Sequence, residues 1–355
     1  MKVQQYIQHY FKPIIAVIVV SGCFALPAFS QDAHFSQYYA SGLYLNPSLA
    51  GVESNLTFTS NFRQQWRSVA QPFVTNQISV ISPVNRGKIL KKQIGGAGLS
   101  LYNDRAGDGN FKTTGLNLSA AYNTYFREDI AVLSVGGQVG FVQKSIDMTN
   151  LEWGSMYNTS LGKPDLSSTP DVSGFSNRRN FLDINAGATF FYNPQRDYNR
   201  SGLSGHFGVA AYHLNQPNES FFTGTNARLP MLFKAHGHID IRANERFSFA
   251  PALLFMHQRG LNQINAGVYL NYRMFSMPTG ILAETDVVFG AWHRLQDAFI
   301  LMGAVSNSTF TLGLSYDLNS SSLRQYSGGR GAFEVSLAVR NVKERSRQRF
   351  DTPRI

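Results

Sequence analysis

The stretch Phe233-Lys234-Ala235-His236-Gly237-His238-Ile239-Asp240-Ile241-Arg242 decides the fold class. Apolar and small residues (Phe233, Ala235, Gly237, Ile239, Ile241) alternate without a break with Lys234, His236, His238, Asp240 and Arg242. Successive side chains of a strand point to opposite faces, so a period of two predicts a strand with one apolar and one ionic face. The pattern returns three times. Leu56, Phe58 and Phe62, ending in Trp66, alternate with polar residues from Thr57 to Arg67; Ile264 to Tyr272 alternate with Gln263 to Arg273; and Phe310 to Leu318 alternate with Thr309 to Asp317. Runs of this length exceed the ordinary strand of about 5–6 residues and suit the ~9–11 residues with which a tilted strand crosses a bilayer. Lipid on one side and a polar lumen on the other is the arrangement they fit. Closure follows, because backbone groups left unpaired at a sheet edge in hydrocarbon cost several kcal/mol each.

Working outward from these four segments, the chain reads as all-β, a closed transmembrane antiparallel β-barrel of about 14 strands within residues 55–342. The strands are expected near 55–67, 73–82, 94–103, 111–125, 130–144, 181–193, 203–214, 231–242, 247–257, 263–274, 281–292, 297–305, 309–318 and 332–341. Alternation is blurred in 281–292 and 297–305. An even count puts both ends of the barrel on the periplasmic side, so the long polar connections Ser145 to Asn180 and Asn215 to Pro230 should face outward. Pro83 to Gln93 would be a longish, basic inward connection. Composition agrees: of 355 residues only 15% are charged while 13% are aromatic, which excludes a disordered chain or a coiled coil. A large secreted sandwich is the soluble alternative, but row length, low charge and scarce cysteine favour the barrel.

The two ends read differently. Residues 1–30 have a basic start (Lys2, Lys12), an apolar run from Ile14 to Ala25 and small residues at Ala28-Phe29-Ser30, the pattern of an export signal cut after Ser30. Val20-Ser21-Gly22-Cys23 offers the alternative of a lipidated Cys23. Cleavage after Ser30 would remove the chain's single cysteine and with it any thiol chemistry. At the other end, 343–355 is a basic tail carrying Lys343, Arg345, Arg347 and Arg349. It is either a solvated end or a periplasmic handle for an acidic partner. Net charge is +10, with no dense basic patch interleaved with aromatics, so nucleic acid is not an expected partner.

Residues 31–54 are a segment of their own, periplasmic or luminal. Phe35, Tyr38, Tyr39, Leu43, Tyr44 and Leu45 are too apolar to hang in water, and Asn46-Pro47 signals a turn. The segment either folds into the barrel mouth, occluding it or presenting a docking surface, or clasps the periplasmic rim. Its sequence, with Phe35-Ser36-Gln37-Tyr38 and Asn46-Pro47 to Gly51, taken with Arg63-Gln64-Gln65-Trp66, Leu101-Tyr102-Asn103-Asp104, Ser315-Tyr316-Asp317-Leu318 and Phe333-Glu334-Val335, resembles the PorP/SprF family of type IX secretion in Bacteroidota. The resemblance implies an outer-membrane barrel that helps secreted proteins, gliding adhesins among them, reach or attach to the cell surface. It implies as partners that cargo, other type IX secretion components and outer-membrane lipid. A diffusion channel or small-solute transporter is the alternative.

Chemistry is sparse. No hydrolase elbow or phosphate loop is present, so no catalytic residue and no cofactor are assigned and the chain is not expected to be an enzyme. His236 and His238 share a face at a spacing that could present two imidazoles to a metal, but Lys234 and Arg242 flank them and no third ligand is evident. The row Lys234, His236, His238, Asp240 and Arg242 is therefore expected to be a polar network lining the lumen, with no metal site.

Overall fold

The computed structural model describes residues 32–69, 71–86, 92–107, 109–126, 130–148, 151, 156–158, 160, 162–164, 174–193, 202–244, 246–274 and 285–341. Fourteen antiparallel strands close into a barrel. They are β1 Leu56–Gln65, β2 Phe73–Arg86, β3 Lys92–Ala106, β4 Phe111–Phe126, β5 Ala131–Ser145, β6 Arg178–Tyr192 and β7 Gly202–Tyr212. Then follow β8 Leu232–Arg242, β9 Phe247–Gln258, β10 Leu261–Arg273, β11 Asp286–Arg294, β12 Ala298–Ser306, β13 Phe310–Asn319 and β14 Arg330–Asn341. Each strand pairs with its sequence neighbours, and β1 closes on β14 over ten residue pairs from Leu56↔Asn341 to Gln65↔Ala332. No helix among the described residues is long and apolar enough to cross a membrane; the strands are the crossing elements.

The two faces of the wall differ as the alternation requires. Outward positions hold exposed large apolar side chains on every strand, from Phe58 and Phe62 on β1 through Leu99 and Leu101 on β3 to Leu312 and Leu314 on β13. Phe233, Ile239 and Ile241 belong to this set, 45–50% exposed. Inward positions are polar and buried; on β1 they are Thr57, Thr59, Asn61 and Arg63. A surface this apolar facing outward, with polar side chains inside, is the reverse of a water-soluble fold and matches a lipid-embedded barrel.

Residues 33–53 form a strap that runs through the lumen. Two 3₁₀ segments, Tyr38–Tyr44 and Pro47–Gly51, give it its shape. Gly42 kinks the first at φ 39°, a conformation that favours glycine. Asn46 caps the second by accepting from the Ser48 N–H at 3.0 Å, and Pro47 opens it with a pre-set φ. The path is fixed at both ends. Ser36 and Gln37 lie against Glu334 near the start of β14, at the long-loop end of the barrel. Gly51 offers its carbonyl to Asn123 near the end of β4 and to Gln93 near the start of β3, at the opposite end where β1 begins.

The core therefore sits inside the barrel. Tyr38, Leu45 and Leu49 of the strap pack in one cluster with Leu254, Tyr269, Val288, Trp292, Ile300 and Met302 of the wall. Close approach needs glycine where the strap backbone meets the wall. A Cβ on Gly136 would lie 2.6 Å from Ser48 Cα and N, and one on Gly96 would lie 1.8 Å from the Ala50 carbonyl oxygen.

Two expectations shift. The eleventh strand was expected over 281–292 and runs Asp286–Arg294, residues 281–284 lying outside the described set. Its blurred alternation, and that of β12, has a cause: the inward positions Val288, Trp292, Ile300 and Met302 are themselves apolar, because they receive the strap. The second strand continues through Pro83 to Arg86, so the connection expected at Pro83 to Gln93 shrinks to 87–91, outside the described residues. Past Ile81, β1 has ended, so Pro83 pairs only with Gly96 of β3; that is an edge position, where a missing N–H is tolerated.

Candidate functional site

The lumen is organised in three layers along the strap. At the long-loop end Arg63, Arg294, Asp317 and Glu334, from four strands, converge with almost no solvent exposure. Arg63 Nη2 donates to Asp317 at 2.9 Å and Nη1 to Glu334 at 3.1 Å; Arg294 Nη1 reaches Asp317 at 3.2 Å and Asp297 at 2.9 Å. Two cations thus face two buried carboxylates, with Asp297 at the rim. The strap completes the cluster. The Ser36 and Gln37 N–H groups donate to the two oxygens of Glu334 at 2.8 and 2.9 Å, and the Ser36 hydroxyl donates to Asp317 while accepting from both arginines. Gln37 Nε2 also donates to the Glu334 carbonyl at 3.2 Å, and Ser336 donates to Gln37 Oε1 at 2.7 Å. Arg63 and Glu334 are direct cross-strand partners on β1 and β14, so this clamp spans the closing seam.

In the middle layer Tyr38 meets Trp292 edge to face at 5.4 Å, and Tyr39 meets Tyr269 at 5.1 Å. Lys234 Nζ donates to the Tyr44 carbonyl at 2.7 Å and lies over the rings of Tyr44 and Tyr212. Asn46 Nδ2 donates to the Val209 carbonyl at 3.1 Å and lies 3.1 Å from His236 Nε2, and Ser48 Oγ lies 2.6 Å from Thr189. Toward the opposite end, Glu53 accepts from Thr57 at 3.0 Å and lies 4.0 Å from Arg340.

The family-signature residues expected at 35–51 meet in this arrangement: Phe35 is buried against Tyr44, Ser36 and Gln37 enter the ionic clamp, Tyr38 the aromatic layer, and Asn46, Pro47 and Gly51 the capped turn. Of the row on β8, Lys234 and His236 touch the strap, His238 lies beside His206 of β7 with ring centroids 4.3 Å apart, and Asp240 and Arg242 are half-buried farther down. His206 is the third imidazole that sequence alone did not bring near. The His206 and His238 rings meet edge to face, and among the described residues no group of three His, Cys, Asp or Glu is placed to hold a metal. Lys343, Arg345, Arg347 and Arg349, residues 1–31 and the cleavage site lie outside the described residues. Sequence reasoning missed Arg294 altogether: the strand was expected to end at 292, two residues short of it, whereas it runs on to Arg294.

Beyond the clamp, the two long connections brace each other. Lys144 pairs with Glu219, Arg179 Nε donates to the Asn218 carbonyl at 3.0 Å, and the Ser176 N–H to the Phe221 carbonyl at 2.8 Å. His213, at the root of the second connection, is held by Asp183 at 2.8 Å and by Asn185. This leaves Phe222 to Arg228 as an exposed crest.

A closed, strap-filled barrel with an apolar belt defines an outer-membrane β-barrel protein. The chain belongs to the PorP/SprF family of type IX secretion system membrane proteins, whose profile matches residues 28–339. Family and fold are those of a secretion component and not of a known enzyme class. No relative is found among curated proteins. Among solved structures the chain is similar to a FadL homologue of Pseudomonas aeruginosa (12% identity, 83% of this chain and 92% of that one, TM-score 0.41). It is also similar to the toluene transporter TodX of Pseudomonas putida (11%, 87% and 94%, TM-score 0.41) and to the KdgM porin (9%, 81% and 99%, TM-score 0.37).

Proposed function

We propose that this barrel serves secreted proteins and not solutes: it assists the delivery or cell-surface attachment of partner proteins, large adhesins among them, by the type IX system. The observation that carries this reading is the strap. The lumen that a diffusion channel would keep open is crossed by residues 33–53 and clamped at its long-loop end, while at that same end Asn215 to Pro230 is held by Lys144, Ser176 and Arg179 where loops carried on a barrel scaffold supply recognition. In this reading the long-loop end faces outward, the export signal is removed after Ser30 rather than lipidated at Cys23, and the basic tail 343–355 meets acidic partners in the periplasm.

Deleting the gene should abolish surface delivery of a specific protein, read by protease shaving of intact cells. Deleting 343–355 alone should reduce delivery while leaving the barrel in the membrane. The purified barrel should show no stable conductance in planar bilayers; large single-channel steps from the intact protein would favour the channel reading instead.

A further inference from the structure

On the outer surface of the wall, β3 to β6 carry a graded patch at the long-loop end, and register fixes its three rows. Leu101, Leu116, Phe141 and Leu182 are successive cross-strand partners, and all four are exposed apolar side chains of the lipid face. Two residues nearer the loops stand Asn103, Thr114, Gln143 and Asn180, again successive partners. They are joined in pairs, Asn103 Nδ2 donating to Thr114 at 2.7 Å and Gln143 Nε2 to Asn180 at 2.9 Å. Two residues farther stand Arg105, Lys112, Ser145 and Arg178, with both arginines exposed and Lys112 half-buried. The period of two puts all three rows on one face. The wall thus passes from apolar to amide to cationic, as a bilayer passes from hydrocarbon to headgroups.

Neither polar row holds an acid. Arg105, Lys112 and Arg178 make no ion pair or side-chain hydrogen bond among the described residues. Arg105 and Lys112 are direct partners across β3 and β4, where like charges repel, so the row lacks a counter-charge that an anion would supply. At the same end the outward positions of β8, β12 and β13 hold Phe233, Phe299 and Leu318 and carry no charge. We infer that the row Arg105, Lys112 and Arg178 binds the phosphates of an outer-leaflet glycolipid, its acyl chains lying along Leu101, Leu116, Phe141 and Leu182. Guanidinium groups grip phosphate oxygens in pairs, and lysine adds a point charge. The Asn and Gln amides have capacity beyond the one bond each makes, and sugar hydroxyls can use it. The cations span three strand spacings, about 14 Å, room for a sugar headgroup rather than a single phosphate ion. The inference rests on the outward orientation of the long-loop end proposed above, and not on protein cargo.

The test uses the purified, delipidated full chain in detergent, with bound lipid counted by native mass spectrometry. Diphosphoryl lipid A should bind saturably, and its phosphatase-treated form at least tenfold more weakly. Replacing Arg105, Lys112 and Arg178 together by Gln should cost a similar factor, whereas Arg105→Lys with Arg178→Lys should retain binding. Arg324→Gln, exposed at the same end but outside the row, should change nothing. Absence of saturable binding, equal affinity for the phosphatase-treated lipid, equal loss in Arg324→Gln, or displacement by equimolar phosphatidylglycerol or inorganic phosphate overturns the assignment. If the triple variant is not heat-modifiable, the two forms of lipid A on the parent still decide it. Orientation is read separately: Tyr326→Cys, at an exposed position of the long-loop end, should react with impermeant maleimide on intact cells. Reaction only after the outer membrane is opened overturns the outer-leaflet assignment through the orientation, a failure distinct from lost phosphate selectivity in detergent.

Discussion

Replacing Glu334 by Ala tests the clamp most severely. Glu334 is fully buried and accepts three hydrogen bonds: from Ser36 N–H at 2.8 Å, Gln37 N–H at 2.9 Å and Arg63 Nη1 at 3.1 Å. Its loss orphans two strap amides and leaves two buried arginines against one buried carboxylate. Removing one partner of a buried ion pair costs about 3–5 kcal/mol, most of it the uncompensated charge left behind. The double replacement Arg63→Met, Glu334→Leu removes that charge, because Arg294 and Asp317 stay paired at 3.2 Å. It leaves the two orphaned strap amides, about 1–3 kcal/mol per group, and the loss of Arg63 from Asp317, which keeps Arg294 at 3.2 Å and the Ser36 hydroxyl as partners. The double variant should therefore be more stable than Glu334→Ala although it carries one more substitution. The assay is urea unfolding of the purified barrel, followed by tryptophan fluorescence and heat-modified gel mobility. A single variant within about 1 kcal/mol of the parent, or a double variant less stable than the single, would refute the reasoning.

Three further outcomes are expected. Gly136→Leu drives a side chain into Pro47 and Ser48 of the strap, so it should displace the strap while the barrel stays heat-modifiable; a Leu43→Cys probe, buried in the parent, should then react with maleimide. Ile239→Arg should destabilise the barrel by about 2–4 kcal/mol if placed near the bilayer middle, and His238→Arg, which opens onto the luminal cavity, far less; equal urea midpoints for the two would contradict the lipid and luminal faces. Trypsin added to intact cells lacking cargo should cut at exposed Arg228; protection there, with cleavage only after the outer membrane is opened, would reverse the orientation.

How much of this was legible in the sequence depended on which residues faced lipid. On β1, β8, β10 and β13 one face meets lipid and the other meets water or polar groups, so alternation is plain and the strands fall where it puts them. On β11 and β12 the lumen side meets Tyr38, both faces are apolar, and the period of two fades although the strand is just as regular. The need to cover Phe35 and Tyr38 was visible, but their cover was not. Ser36 finds Glu334 across 298 residues of chain and Arg294 across 258, and no local pattern marks Arg294 as a partner. Likewise the strap's path required glycine at Gly136 and Gly96, which in a strand sequence look like ordinary weak points.

The central claim, that the strap-filled barrel handles protein cargo and not solutes, is tested most directly by mild-detergent purification of the tagged barrel from its own cells, with quantitative identification of what comes with it. The account predicts recovery of a secreted surface protein together with type IX components, lost when the loop crest Phe222 to Arg228 is replaced by a Gly-Ser linker of equal length. Recovery of the barrel alone, from cells in which surface proteins are delivered normally without it, would contradict the account.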